Sequence, residues 1–328
     1  MTPGIQSGWA IERTGSPHGK LEILACCPAP RCGLTHFSLS PDLPFTPPEF
    51  WTKAESIRYS AFTGPFCGVS AIVSRVGDLE MIAAQTDGVL AHFSYHGVFG
   101  WSGPTFLPGK AAGPPAFIQS RFGGVGNFEV IVPRPGGGLS HFWRDNDGAE
   151  VWHEATQPTA TGVWSGLGLI QSNFGNLEIV GVREGSLAFL WQNGPGGAWS
   201  IPVTLTNDAD FAGRPALIQS TYGTRGNFEV VAAKRSGQLI HYWRNNGVDG
   251  FPWLAGTAFA PGATQPTYAF DDVSLFQSSY GRLEVFAREK FREKLSAFWL
   301  IHYRAALGQR WEGPIKGLSI PYDRTWWP

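Results

Sequence analysis

Residues 214–253 read RPALIQSTYGTRGNFEVVAAKRSGQLIHYWRNNGVDGFPW. The stretch divides into three apolar runs, PALIQS, NFEVVAA and QLIHYWR, and a fourth begins near Trp253. Between them stand YGTRG, KRSG and NNGVDG. Glycine, asparagine and aspartate in such gaps supply the backbone angles of tight turns. The pattern predicts four short antiparallel strands.

Outward from this unit, the same text recurs. A glycine-led turn followed by apolar–Glu–apolar occurs at Leu21-Glu22-Ile23, Leu79-Glu80-Met81, Phe128-Glu129-Val130, Leu177-Glu178-Ile179, Phe228-Glu229-Val230 and Leu283-Glu284-Val285. First-strand copies end at Arg13, Ser74, Ser120, Ser172, Ser220 and Ser278. The third strand repeats as Leu-x-His-aromatic at residues 34–37, 90–93, 139–142, 239–242 and 300–303, and breaks at Leu187-Ala188-Phe189-Leu190. A tryptophan opens each fourth strand: Trp51, Trp101, Trp152, Trp199, Trp253 and Trp311. Units of about 50 residues match propeller blades. A lone four-stranded sheet with two apolar faces cannot bury both, whereas radial stacking hides them and leaves short edges. The expected fold is all-β: one six-bladed β-propeller, four antiparallel strands per blade, spanning residues 1–328. Its blades start near 8, 68, 114, 165, 213 and 271. Helix is expected to be nearly absent, the most helix-like text being 288–295. The tail after Trp311, or the first N-terminal residues, is expected to complete closure.

Composition agrees. Gly 42, Pro 25 and only 16% charged residues suit short strands and tight turns, and 14 tryptophans suit packed sheets or aromatic binding surfaces. A net charge of −1 leaves no basic footprint for nucleic acid. No apolar run reaches membrane-spanning length, and the N-terminus shows no secretory h-region. No membrane partner is expected and a cytoplasmic location is the default, with unconventional export left open. The spacing of Cys26, Cys27, Cys32 and Cys67 is not a zinc pattern. Buried or free thiols are expected, with a disulfide from the 26–32 region to Cys67 as the alternative. No metal or cofactor is called for.

Glu80–His92, Glu129–His141 and Glu229–His241 are each twelve residues apart. A hairpin folded midway sets each pair opposite one another on one sheet face. Since blade faces pack together, these read as structural clasps: a buried carboxylate needs a partner. A ring of catalytic acid–base pairs is the alternative, and it is weakened by the repetition, because catalysis needs one assembled site. Glu178 lacks the partner, Phe189 standing in the histidine position.

Trp143-Arg144 and Trp243-Arg244 carry two readings. Tryptophan is normally core in β-repeats, with the arginine capping the strand. Alternatively an aromatic ring beside a guanidinium suits a sugar, whose C–H face stacks while its hydroxyls accept hydrogen bonds. The departures from the repeat point elsewhere. Connections between second and third strands, and between units, share one face of a propeller. Blade 1 enlarges such a connection with CCPAPRC and blade 6 with EKFREKLSAFW, and 51–67 and 254–272 are long inter-blade connections. Loops on a rigid scaffold concentrate function. In that sector Arg58, Tyr59, Tyr268, Asp272, Phe291, Arg292 and Trp299 are candidate ligand-binding residues. No catalytic residue is assigned.

The repeat at Ile118–Asn146 and Ile218–Asn246 resembles the β-propeller lectins of the Photorhabdus type over nearly the whole chain. That resemblance implies fucose-type sugar binding between blades. Those lectins have seven blades, and six copies are present here. Six blades are also similar to the Aleuria-type fungal fucose lectins. A second resemblance is to lectin-like fungal propellers that act as hetero-Diels–Alderases, joining a polyketide quinone methide to a terpene without a cofactor. Such a pericyclase holds two reactants together in a shaped top-face pocket. The expected function is a carbohydrate-binding propeller lectin, with the cofactor-free enzyme as the alternative. The expected partner is a glycan or a small hydrophobic or aromatic ligand, with homo-oligomerisation left open.

Overall fold

A computed structural model describes residues 8–13, 20–26, 34–39, 52–57, 64–155, 160–259, 269–279, 281–290 and 297–321. Among them lie twenty-four strands and no helix. In chain order they form six runs of four, here called units. Unit 1 holds β1 (Ala10–Arg13), β2 (Lys20–Cys26), β3 (Leu34–Leu39) and β4 (Thr52–Ile57). Unit 2 holds β5 (Phe66–Val73), β6 (Leu79–Gln85), β7 (Leu90–His96) and β8 (Gly100–Phe106). Unit 3 holds β9 (Ala116–Gln119), β10 (Phe128–Pro133), β11 (Leu139–Arg144) and β12 (Trp152–Glu154). Unit 4 holds β13 (Trp164–Gln171), β14 (Leu177–Arg183), β15 (Ser186–Gln192) and β16 (Val203–Thr204). Unit 5 holds β17 (Phe211–Gln219), β18 (Phe228–Lys234), β19 (Leu239–Arg244) and β20 (Trp253–Phe259). Unit 6 holds β21 (Ala269–Gln277), β22 (Leu283–Lys290), β23 (Ala297–Ala305) and β24 (Glu312–Pro321).

Units 1 to 4 are separate four-stranded sheets, and one parallel bridge, Arg214 to Asp272, joins units 5 and 6 into eight strands. Parts of 51–67, 254–272 and 289–299, all expected as connections, are therefore strand: β4, β20, the starts of β5, β21 and β23, and the end of β22. The fold is an all-β propeller.

The packing follows from the alternation in each strand. In β10 every residue is buried, Phe128, Val130 and Val132 on one face and Glu129 and Ile131 on the other. The apolar clusters accordingly lie between units. Phe117, Phe128 and Phe142 of unit 3 pack with Ile72, Ile82 and Leu90 of unit 2. Ile131 and Leu139 pack instead with Leu167 and Ile179 of unit 4. Burying such a side chain is worth about 1.5–3 kcal/mol. Unit 1 touches both its neighbours: Gly8 bridges to Ala71, and the Ser274 hydroxyl of unit 6 donates to Ala10 O at 2.8 Å.

The first-to-second-strand turn explains the Gly-Asn of the repeat. Gly226 has φ 70°, and a Cβ there would meet Ser220 O at 2.6 Å, so the position requires glycine. The turns of units 2 to 6 are also held from the next unit. Gln119 Oε1 accepts from Arg75 N, Gln171 from Arg121 N, Gln219 from Asn173 N and Gln277 from Thr221 N. Between units 6 and 1, Glu12 takes this part, accepting from Ser279 N and Ser279 Oγ.

Candidate binding clefts between the units

The second-strand glutamate and third-strand histidine sit on the face that each unit turns to its successor. Glu129 is paired with Trp143, and His141 with Ile131, so the two meet on the diagonal rather than directly opposite as the twelve-residue spacing suggested. His Nε2 and Glu Oε2 are 2.8–2.9 Å apart in Glu22–His36, Glu80–His92, Glu129–His141 and Glu229–His241. A serine closing the first strand donates to the other oxygen, as Ser120 does to Glu129 and Ser220 to Glu229. The tryptophan of the following unit meets each histidine edge-on, Trp101 on His36, Trp152 on His92, Trp199 on His141 and Trp311 on His241, at 5.5–5.8 Å.

The electrostatics suit a clasp. Burial pushes the His92 imidazole down, and the neutral ring donates its N–H to Glu80. Burial alone would raise Glu80, but the bonds from His92 and Ser94 outweigh it and hold the carboxylate below its usual range. Glu178, whose histidine is replaced by Phe189, goes the other way. Burial pushes it up to about 7, against the charge of Arg244 and the Ser172 and Asn176 bonds.

What fills each cleft comes from the following unit. Its second and third strands offer one directly paired couple there: Leu79–Tyr95, Phe128–Arg144, Leu177–Gln192, Phe228–Arg244 or Leu283–Ala305. Tyr95 packs on His36 at 5.3 Å. The Arg144 guanidinium lies 4.5 Å over Phe128, and that of Arg244 3.9 Å over Phe228. Unit 6 alone of these places the small Ala305 beside Leu283. The result is an open cleft of about 930 Å³ between units 5 and 6. Its walls are Glu229, His241 and Trp243 on one side and Leu283, Ala305 and Trp311 on the other. The His241 side chain is 16% exposed, against 2–5% for His36, His92 and His141. Phe259 stacks on Trp311 at 4.3 Å, and the Tyr222 hydroxyl donates to Gly281 O at 2.6 Å. Apolar ring faces beside a carboxylate, an imidazole and Arg310 fit a ring bearing hydroxyl groups.

The residues singled out from sequence fall into three groups. Trp143 and Arg144, like Trp243 and Arg244, project from opposite sheet faces, so neither couple forms a joint aromatic–guanidinium platform. Trp143 packs on His153 of its own unit at 4.8 Å, and Trp243 borders the open cleft. Each arginine turns back toward the preceding unit, where burial pushes its pKa down. Asp272 is sealed rather than offered to a ligand: it is 1% exposed and takes two bonds from Arg214, at 2.7 and 2.9 Å. Arg214 also donates to Val69 O and Pro115 O, so one guanidinium ties units 2, 3, 5 and 6. Trp299 lies in β23 opposite Glu289, its side chain outside the described residues. Arg58, Tyr59, Tyr268, Phe291 and Arg292 also lie outside the described residues.

Cys26 and Cys67 are free thiols, so neither carries the disulfide considered for this region, and Cys27 and Cys32 lie outside the described residues. Burial pushes Cys67 up to about 12 and raises Cys26, which leaves both unreactive as nucleophiles. Among the described residues no cluster of three metal-ligating side chains occurs, and no helix is long and apolar enough to cross a membrane.

The residue that sequence reading missed is Ala305. Its signal was visible in the third-strand copies, where unit 6 ends HYRA against HFWR and HYWR in units 3 and 5.

No protein-family model matches the sequence, and no curated protein matches it. The fold is similar to solved structures. The BP39L lectin of Burkholderia pseudomallei is 20% identical, with 96% of this chain and 85% of that chain covered and a TM-score of 0.67. The Aleuria aurantia lectin, a fungal six-bladed propeller that recognises fucose, is 14% identical over 97% of each chain with a TM-score of 0.65. The NanB sialidase of Streptococcus pneumoniae is 10% identical, with 89% of this chain and 66% of that chain covered and a TM-score of 0.62. The chain thus shares its fold with propeller lectins of bacterial and fungal origin.

Proposed function

We propose that the chain is a carbohydrate-binding propeller, its six units closed into a six-bladed ring, and that the cleft between units 5 and 6 takes a sugar. The observation that carries this reading is the cleft itself, opened by Ala305 and Leu283 between Trp243 and Trp311. Its volume of about 930 Å³ holds more than one monosaccharide ring. Bonds from Ser279 to Glu12 and from Ser274 to Ala10 support ring closure between the sixth and first units. Fucosides head the ligands to try, because a point mutant of the Aleuria aurantia lectin has been solved with α-methyl-L-fucoside on a similar fold.

The test is a glycan array followed by calorimetry on the wild type and on Ala305→Arg, which restores the bulk found in units 3 and 5. The variant is expected to keep its melting temperature and lose binding by at least about tenfold, a cost of about 1.4 kcal/mol. No binding by the wild type to any arrayed sugar, or undiminished binding by Ala305→Arg, overturns the proposal.

A further inference from the structure

The cleft between units 4 and 5 is built differently. Arg244 is only 9% exposed, yet Nε alone is bonded, to Asn246 Oδ1 at 2.7 Å. Nη1 and Nη2 have no hydrogen-bond partner among the described residues. In the cleft between units 2 and 3, Glu150 stands 3.6 Å from Arg144 Nη1, whereas the matching turn of unit 5, NNGVDGF, gives Arg244 no ion pair. The carboxyl that faces Arg244 is Glu178, and no direct ion pair joins them. Ser172 holds Glu178 Oε1 at 3.0 Å, and the Phe189 ring stands where other units place a histidine.

Phe189, Phe228, Phe251 and Trp253 surround the guanidinium at 3.9–6.0 Å. Phe251 has φ 46°, a left-handed conformation that a bulky residue rarely adopts. It is 40% exposed and packs against the equally exposed Phe174 at 6.0 Å. Strain of this kind persists where surrounding structure enforces it and concentrates at ligand clamps. Here Phe251 and Phe174 make an exposed aromatic rim beside the nearly buried guanidinium that occupies the space between units 4 and 5.

We infer that this cleft is a second site, for a ring-bearing carboxylate, an acidic sugar of the uronate type, whose two oxygens accept from Arg244 Nη1 and Nη2 while its ring lies against Phe251. A planar carboxylate matches the guanidinium fork. Protonated Glu178 leaves the site with one net positive charge and a donor of its own. Ionised Glu178 cancels that charge and repels the ligand. Among the described residues no other charge acts on either group: Ser172 and Asn176 reach Glu178, and four aromatic rings surround Arg244. With Glu178 titrating at about 7, the acidic ligand binds below neutrality and is released above it. The uronate ring rests on the carbohydrate reading; the carboxylate recognition does not.

Calorimetry in the Ala305→Arg background, which closes the other cleft, isolates the site. Glucuronate, glucose and benzoate are titrated at pH 6 and pH 8. Glucuronate is expected to bind at least about tenfold more tightly than glucose at pH 6, and about tenfold more weakly at pH 8 than at pH 6. Glu178→Gln is expected to bind at both pH values alike, and Arg244→Lys, which keeps the charge but loses the fork, to lose about tenfold. Benzoate binding with the same pH response while glucuronate fails upholds the carboxylate site and removes the carbohydrate reading. Equal binding of glucose and glucuronate, or a pH response that survives in Glu178→Gln, overturns the inference.

Discussion

Glu178 shows what a single replacement does at the scale of a residue. At Glu80, which His92 accompanies, the carboxylate is held low and contributes stability at neutral pH that is lost as pH falls through the depressed value. With Phe189 in that position the sign reverses. The folded protein holds a proton on Glu178 up to about pH 7, so its contribution is full below the ordinary carboxylate range and is lost as pH rises. Glu178→Gln should therefore raise stability at pH 8, by up to about 3 kcal/mol, and leave it nearly unchanged at pH 5. Urea unfolding at the two pH values reads this directly, and equal effects at both would count against it. A second residue-scale expectation concerns Glu184, which has φ 51° in the turn before Gly185. Asparagine tolerates that conformation better, so Glu184→Asn should raise the melting temperature through a gain of about 0.5–1 kcal/mol.

At the scale of elements, the glutamine amide that closes the first strand of units 3 to 6 does the joining. Gln219 accepts from Asn173 N of unit 4 and donates to Arg225 O and Gly226 O of its own turn, at 2.7, 3.0 and 3.1 Å. Leucine fills the same volume but leaves these partners unmet, so Gln219→Leu should cost about 1–3 kcal/mol in a denaturant melt. The elements were also the most legible part of the sequence. Strand-to-strand turns, the Glu–His pairs and the tryptophans all repeat, and repetition is what period and spacing can show. What filled the clefts was harder to read. Trp143 and Arg144 are neighbours in sequence, but alternation sends them to opposite faces, and Arg144 meets the rings of Phe128 and Trp152 over its own unit's inner face. Ala305 carries no chemistry of its own, and it matters only because Trp243 and Glu229 stand across from it. Asp272, a surface candidate by its place in a long connection, is drawn inward by Arg214, some sixty residues away in the chain.

For the whole molecule, Arg214 is the joint that the repeat does not foretell. Its guanidinium meets Asp272 on unit 6, Val69 O on unit 2 and Pro115 O on unit 3, all while 4% exposed. Removing Arg214 leaves Asp272 buried with only the longer contact to Arg288 Nη2, at 3.7 Å, to balance its charge. Arg214→Met should lower stability by about 3–5 kcal/mol, read from the urea midpoint, whereas the paired change Arg214→Met with Asp272→Leu should restore much of the loss. Recovery by the double variant separates a charge effect from simple loss of packing.

The couple that plugs each cleft has a consequence for how such a chain can change. The groups that hold neighbouring units together, carboxylate, imidazole, serine and indole, are distinct from the residue that decides whether a vacancy exists between them. One codon at the end of a third strand can therefore open or shut a cleft without loosening the frame around it. Valency becomes an independent variable: the number of open clefts, and what each accepts, can drift one at a time while every other wall stays shut.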